Sequence, residues 1–262
     1  MSAHRMQSGI AGVESLVALP ILLFLGLGAL QFGLVFQARH ALNHALVEAA
    51  RAGSVAHADP QAIRTGLARG LLPWLYGAAD IGEYAVNLGR AAVHVTQGQA
   101  LGWLRLERVS PTAASFDDWA EPARDANGDP IAGLREIPND NLAIRATRMQ
   151  PASGRAGERS GEPIGAASGQ TLSDANLLRL RLDYGVPLVV PVAGRLIAWA
   201  LAAWDGCGLG VARRYGALGL DAPPAGGLPR LGTCALLAAP GGPRIAVTLA
   251  STLRMQSPAR EP

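Results

Sequence analysis

Ser15-Leu-Val-Ala-Leu-Pro20-Ile-Leu-Leu-Phe-Leu25-Gly-Leu-Gly-Ala-Leu30-Gln-Phe-Gly-Leu-Val35-Phe-Gln-Ala38 is a run of 24 residues without one Asp, Glu, Lys, Arg or His. About 20 apolar residues in a helix cross a hydrocarbon core roughly 30 Å thick. The run therefore predicts a single-pass membrane helix. A cleaved secretory signal would carry a shorter apolar region, roughly 7–15 residues, behind a purely basic leader. Here the run is longer, and an acidic residue, Glu14, stands at its mouth. Pro20 removes one backbone donor and predicts a kink or a loosened turn around Leu16. Ala29 and Gly33, with Gly26 on nearly the same face, make a small-residue stripe of the kind that lets helices approach in lipid.

Outside this run the chain of 262 residues is long enough for one or two domains. It is 49% hydrophobic and 16% charged, which excludes a disordered acidic or basic tail. All 23 basic residues are Arg and the net charge is only +3. With no basic stripe and few aromatics, no nucleic-acid partner is expected. The two cysteines, Cys207 and Cys234, flank a Pro/Gly-rich stretch. A disulfide between them would close a long loop, which stabilises by roughly 3 kcal/mol or more, and would need an oxidising compartment. Two separate buried thiols are the alternative. Arg5 precedes the span and Arg39 and Arg51 follow it, so the positive-inside rule gives no orientation.

Glu14 has the costliest position in the chain, because a lone carboxylate at the membrane interior loses several kcal/mol. A cut after Gly9 would free the α-amine of Ile10 and make Glu14 the fifth residue. Four helical residues separate the two groups by about 6 Å along the axis. A neighbouring subunit displaced by one turn would offer its own amine to this carboxylate. The alternative is that Glu14 only caps a helix whose N-terminal dipole favours negative charge.

Gly9, four residues, Glu14 and an apolar helix together resemble the signal of type IV pilins and pseudopilins. The variant is similar to the TadE-like family of the tight-adherence pilus system. That family runs from a basic Gly-Ala leader through Val-Glu-Phe-Ala-Leu, a Pro and an aliphatic stretch to Ala-Ala-Arg-Ala-Gly. This chain has Val13-Glu14-Ser15-Leu16-Val17-Ala18-Leu19-Pro20, then Ala38-Arg-His-Ala-Leu-Asn43 and Glu48-Ala49-Ala50-Arg51-Ala52-Gly53. Ser15 departs from the usual Phe or Tyr, which bears on processing. The resemblance is strong over residues 5–53. It is looser over Tyr184-Gly-Val-Pro-Leu-Val-Val-Pro191 and the end of the chain at Leu253-Arg-Met-Gln-Ser-Pro258. It implies a minor pseudopilin of the bacterial inner membrane with a periplasmic C-terminal part. It also implies a prepilin peptidase and sister pilin or pseudopilin subunits as partners, met through the first helix.

The expected fold is α+β: a long transmembrane and stalk helix followed by a head with helices and a small antiparallel sheet. Residues 1–9 read as a leader and 10–53 as the helix, stopped by Gly53. Residues 54–149 read as a helix plus short strands, 150–170 as a flexible loop rich in Ser-Gly pairs, and 171–262 as the rest of the head. Asp59-Pro60 predicts the start of a second helix with Ile63, Leu67 and Leu71 inward, ended by Gly70 and Pro73. Val93-His-Val-Thr, Leu104-Arg-Leu-Glu and Leu142-Ala-Ile-Arg-Ala-Thr predict strands by their alternation. Residues 178–184 and 245–253 alternate more cleanly and are expected to pair. Residues 186–204 hold one charge, Arg195. They read as a strand end plus a buried or membrane-surface helix, with a second span as the alternative.

No catalytic residues, metal site or cofactor are expected. GxSxG, HExxH, P-loop and GxGxxG patterns are absent. His40, His44 and Glu48 share a helix face that reads as a polar surface rather than a metal site. Asp125-Ala-Asn127-Gly-Asp129 reads as a polar turn rather than a calcium loop, since no Glu follows at the twelfth position. A membrane-anchored periplasmic binding or enzyme domain with a passive anchor is the alternative function.

Overall fold

Leu, Ala and other strong helix formers without a capping break give α1 its length: Ser8–Val55, 48 residues, with Pro20 inside it. The computed structural model describes residues 8–77, 80–125, 127–204 and 232–261, with the backbone alone for 8–13 and 204. The helix continues past Gly53 to Val55. The stop comes from His57 and Ala58, both in the left-handed region at φ 57° and 62°. Gly53 serves another purpose. A Cβ there would lie 2.6 Å from Ile63 Cγ1 and 2.8 Å from Leu178 Cδ2, so the glycine lets neighbouring elements close onto the helix.

The chain divides into two compact units, residues 1–39 with 185–247 and residues 40–184 with 248–262. The second unit contains most of the head. Its α2 (Pro60–Leu75) begins as the sequence predicts: the Asp59 carboxylate accepts from Ala62 N at 2.8 Å, with Pro60 in the first turn. Ile63, Leu67 and Leu71 are buried. Gly70 and Pro73 do not end the helix. It runs to Leu75, and Gly77, at φ 66°, turns the chain while its N–H bonds Leu72 O. Gly70 stays helical because it is the contact point with α1: a Cβ there would sit 2.4 Å from Ala45 Cα. One turn earlier, Gly66 meets Ala49 and Ala52 in the same way.

α3 (Ile81–Ala100) starts at Asp80, whose side chain accepts from Glu83 N. It absorbs Val93-His-Val-Thr, expected as a strand. Four residues cannot separate period two from one helical turn, and the longer spacing of buried Asn87, Ala91, Val95 and Gly98 is helical. Leu142–Arg148 is likewise a helix, α5, with Leu142 and Ala146 inward. Between them lie β1 (Leu104–Ser110), which is a strand as expected, and α4 (Ala113–Trp119), opened by a Thr112/Ser115 capping box. A hairpin of β2 (Glu121–Arg124) and β3 (Pro130–Ile137) follows.

Residues 150–170 hold a second hairpin, β4 (Arg155–Arg159) with β5 (Glu162–Gly165), in place of the expected flexible loop. After the short α6 (Leu172–Ala175) comes β6 (Leu177–Pro187), whose Leu178, Leu180, Leu182 and Tyr184 are buried along one face. β6 is the middle strand of a sheet ordered β1-β6-β7, where β7 is Arg244–Arg254. β1 runs antiparallel to it with Leu104 opposite Tyr184 and Leu106 opposite Leu182. The neighbouring of residues 178–184 and 245–253 thus follows their alternation. β8 (Ala259–Arg260) adds to β3. The C-terminal segment also closes the end of α1: Gln256 N and Ser257 N donate to Ser54 O at 2.9 and 3.1 Å, and His57 Nδ1 meets Pro258 O at 2.8 Å.

The first unit contains α1 up to Arg39, the end of β6, the helix α7 (Ala193–Trp204) and the short helix α8 (Thr233–Leu237). Residues 186–204 accordingly resolve into a strand end, a loop and a helix.

Candidate functional site

Glu14 opens the stretch Glu14–Val55 of α1, the one described helix long and apolar enough to cross a membrane. Glu14 is exposed, and so are Leu16, Val17, Leu19, Ile21, Leu22, Leu23 and Leu25, seven large aliphatic side chains with no cover in the monomer. Leaving that much apolar surface in water would cost on the order of 1.5–3 kcal/mol for each large side chain, so a lipid or a neighbouring helix belongs there. Gly9 and Ile10 lie in the first turns of α1, with Ile10 one turn before Glu14; their side-chain surroundings fall outside the described residues. α1 passes through Pro20 as a continuous helix.

Further along, α1 has two distinct faces. Buried Gln31 and Ala38, with half-buried Leu27, Leu34 and Val35, form one stripe. Val190 N donates to Gln31 Oε1 at 2.9 Å, bringing the loop before α7 onto this stripe. Gly26, Ala29 and Gly33 lie on the opposite side and are exposed. A Cβ added at Gly26 or Gly33 would meet nothing within 4 Å. Small residues on an uncovered face leave room for a second helix to come close.

The remaining sequence candidates do not converge. His40 and His44 are exposed, and Glu48 pairs with Arg51 at 2.7 Å. Among the described residues no group of three or more His, Cys, Asp or Glu could hold a metal ion. Asp125 Oδ1 accepts from Asn127 N and Asp129 N, both at 2.9 Å, which places these three residues between β2 and β3 as a polar turn. Cys234 lies in α8, whereas Cys207 is outside the described residues, so the expected bridge between them is too.

Two polar features of the head escape a reading of the sequence. Asp118 is buried and accepts from the Ser153 and Ser168 hydroxyls, from Ser168 N at 2.7 Å and from Ala167 N at 3.2 Å. Burial pushes its pKa up, but these four donors together outweigh burial and hold the carboxyl below its ordinary value. This cluster orders the region between residues 150 and 170. Three of its four donors come from the serines of two Ser-Gly pairs that look like linker, so composition concealed it. The second feature is an aromatic group. Tyr184 OH meets His94 Nε2 at 2.8 Å, and the Tyr184 ring contacts Trp74 and Trp103 edge-on at 6.0 and 5.5 Å. Trp103 and Tyr184 are buried, which makes this group part of the core, with the hydroxyl and imidazole satisfying each other.

Comparison with protein families matches residues 9–51 to the family described as TadE-like protein. The match covers less than a fifth of the chain and ends inside α1, with the head outside it. It is the family the sequence resembles, and the matched residues lie within the 5–53 of that resemblance. No curated protein and no solved structure matches the chain.

Proposed function

We propose that this chain, TadE-like over its first helix, is a minor pseudopilin-like structural protein that takes part in assembling a tight-adherence pilus at the bacterial inner membrane. The carrying observation is that the TadE-like match falls on the helix that has a carboxylate at its mouth and large uncovered apolar side chains behind it. A passive anchor needs the apolar residues, and the charge gives it no more than a favourable contact with the helix dipole. In the assembly reading a prepilin peptidase cuts after Gly9. The Glu14 carboxylate then neutralises the Ile10 amine of an adjacent subunit, so that α1 packs against sister helices along its Gly26–Ala29–Gly33 face. The head, with a Cys207–Cys234 bridge, stands on the periplasmic side.

Two measurements test this. The intact mass of membrane-extracted protein should lack the nine residues of the leader; a full-length mass in a host with a working prepilin peptidase would contradict processing. Glu14→Gln keeps the side chain's size and removes its charge. If Glu14, six residues inside the start of α1 at Ser8, only sits favourably in the helix dipole, the change costs under about 1 kcal/mol and assembly proceeds. If it pairs with a neighbour's amine, that amine is left unpaired at a cost of about 3–5 kcal/mol per contact. The variant should then insert and be cleaved, yet fail to crosslink to partner subunits through α1. A variant that crosslinks and supports pilus formation like the parent would favour the passively anchored domain instead.

A further inference from the structure

The depth of one backbone amide in the membrane assigns a role to the apolar residues after β6. Val189, Val192, Leu196 and Trp199 are 62%, 59%, 43% and 72% exposed. Val192, Leu196 and Trp199 are spaced i, i+4, i+7 and so share one stripe at and along α7, with exposed Arg195 beside it. No acidic residue occurs from 184 to 204. These residues belong to the same compact unit as the first 39 residues of α1.

Their level relative to α1 follows from the Val190 N to Gln31 Oε1 bond. Whichever 20-residue part of the charge-free run occupies hydrocarbon, Gln31 lies roughly 5–11 Å inside the edge far from the N-terminus. A polar side chain at that depth must find its partner in protein, because lipid tails offer none. Gln31 is 1% exposed, and Val190 supplies a partner for its Oε1, while its buried Nε2 has none among the described residues. With Val190 held there, its exposed neighbours Val189 and Val192 face lipid rather than water. The twelve residues of α7 rise only about 18 Å, too short to cross. Tryptophan favours the interface, and an arginine can extend its charge to phosphate while its stem stays in the apolar layer.

We propose that α7 and the loop before it form a membrane-surface element, seated in the far boundary of the bilayer that α1 crosses. The Val192–Leu196–Trp199 stripe lies in acyl chains and Arg195 lies among headgroup phosphates. The lipid-facing surface of α1 thus continues onto α7. This rests on the reading that α1 spans the membrane.

The test uses the full chain in vesicles of phosphatidylcholine and phosphatidylglycerol brominated either near the headgroup or near the bilayer centre. Subtracting the emission of Trp199→Phe from that of the parent isolates Trp199. Headgroup-proximal bromine should quench this signal at least roughly twofold more than central bromine, as for a helix lying in the interface. No quenching by either lipid would overturn the proposal, and a blue-shifted, concentration-dependent signal would then identify a second copy as the cover. Stronger quenching by central bromine would also overturn it, in favour of a second span. Phe24→Trp in the Trp199→Phe background keeps the premise separate. Its emission should be quenched by central bromine whenever α1 spans, whatever α7 does. Loss of that signal defeats the spanning reading, while its presence with a silent Trp199 defeats only the role of α7.

Discussion

Asp118 keeps a carboxylate inside the head because two hydroxyls and two backbone N–H groups converge on it. Its folded pKa lies below the ordinary value. The stability it contributes is therefore fully present above the unfolded carboxylate pKa, about 4, and is lost as pH falls through the folded value. Thermal unfolding of detergent-solubilised protein should show the parent losing stability below about pH 4. Asp118→Asn should be less stable at neutral pH by about 1.5–3 kcal/mol and should respond less to acid. An unchanged melting temperature in Asp118→Asn would contradict the role. Gly165 belongs to the same device, since a Cβ there would lie 2.1 Å from Asp118 Oδ2. Its need for a missing side chain comes from the carboxylate and not from a turn.

The packing of α1 on α2 depends on two glycines, one of which, Gly70, the sequence presents as a helix end. Gly66 and Gly70 are one turn apart and meet Ala45, Ala49 and Ala52 on α1. Gly70→Ala gains up to about 1 kcal/mol of helix propensity. It also places a methyl 2.4 Å from Ala45 Cα, where backbone must move. Overpacking of this kind costs about 1–3 kcal/mol, so the variant should melt lower than the parent. Gly89 in α3 provides the contrast. It is exposed, and a Cβ there meets nothing within 4 Å. Gly89→Ala should raise stability by about 0.5–1 kcal/mol. If both variants shifted the melting temperature in the same direction, the close approach of α1 and α2 would not be what holds Gly70 in place.

At the scale of the molecule, the proposed Cys207–Cys234 bridge belongs to the oxidising-side reading. Both thiols should resist alkylation until reduced, and loss of the bridge should cost about 2–5 kcal/mol. Ready alkylation of both in unreduced protein taken from cells would argue against that location. The apolar helix, its charged mouth, the Asp59–Pro60 start of α2 and the inward leucines of β6 were all legible in the sequence. Each depends on local composition or on a periodicity that only one structure satisfies. The strands expected at residues 93–96 and 142–147 became helices, because segments of four to six residues carry both periods and their neighbours decide. The covered and open faces of α1, the Gly70 contact with Ala45 and the four donors on Asp118 join residues from 25 to more than 150 positions apart. No local pattern encodes such pairs. They exist only once burial has brought distant parts of the backbone together, away from the water that would otherwise meet their polar groups.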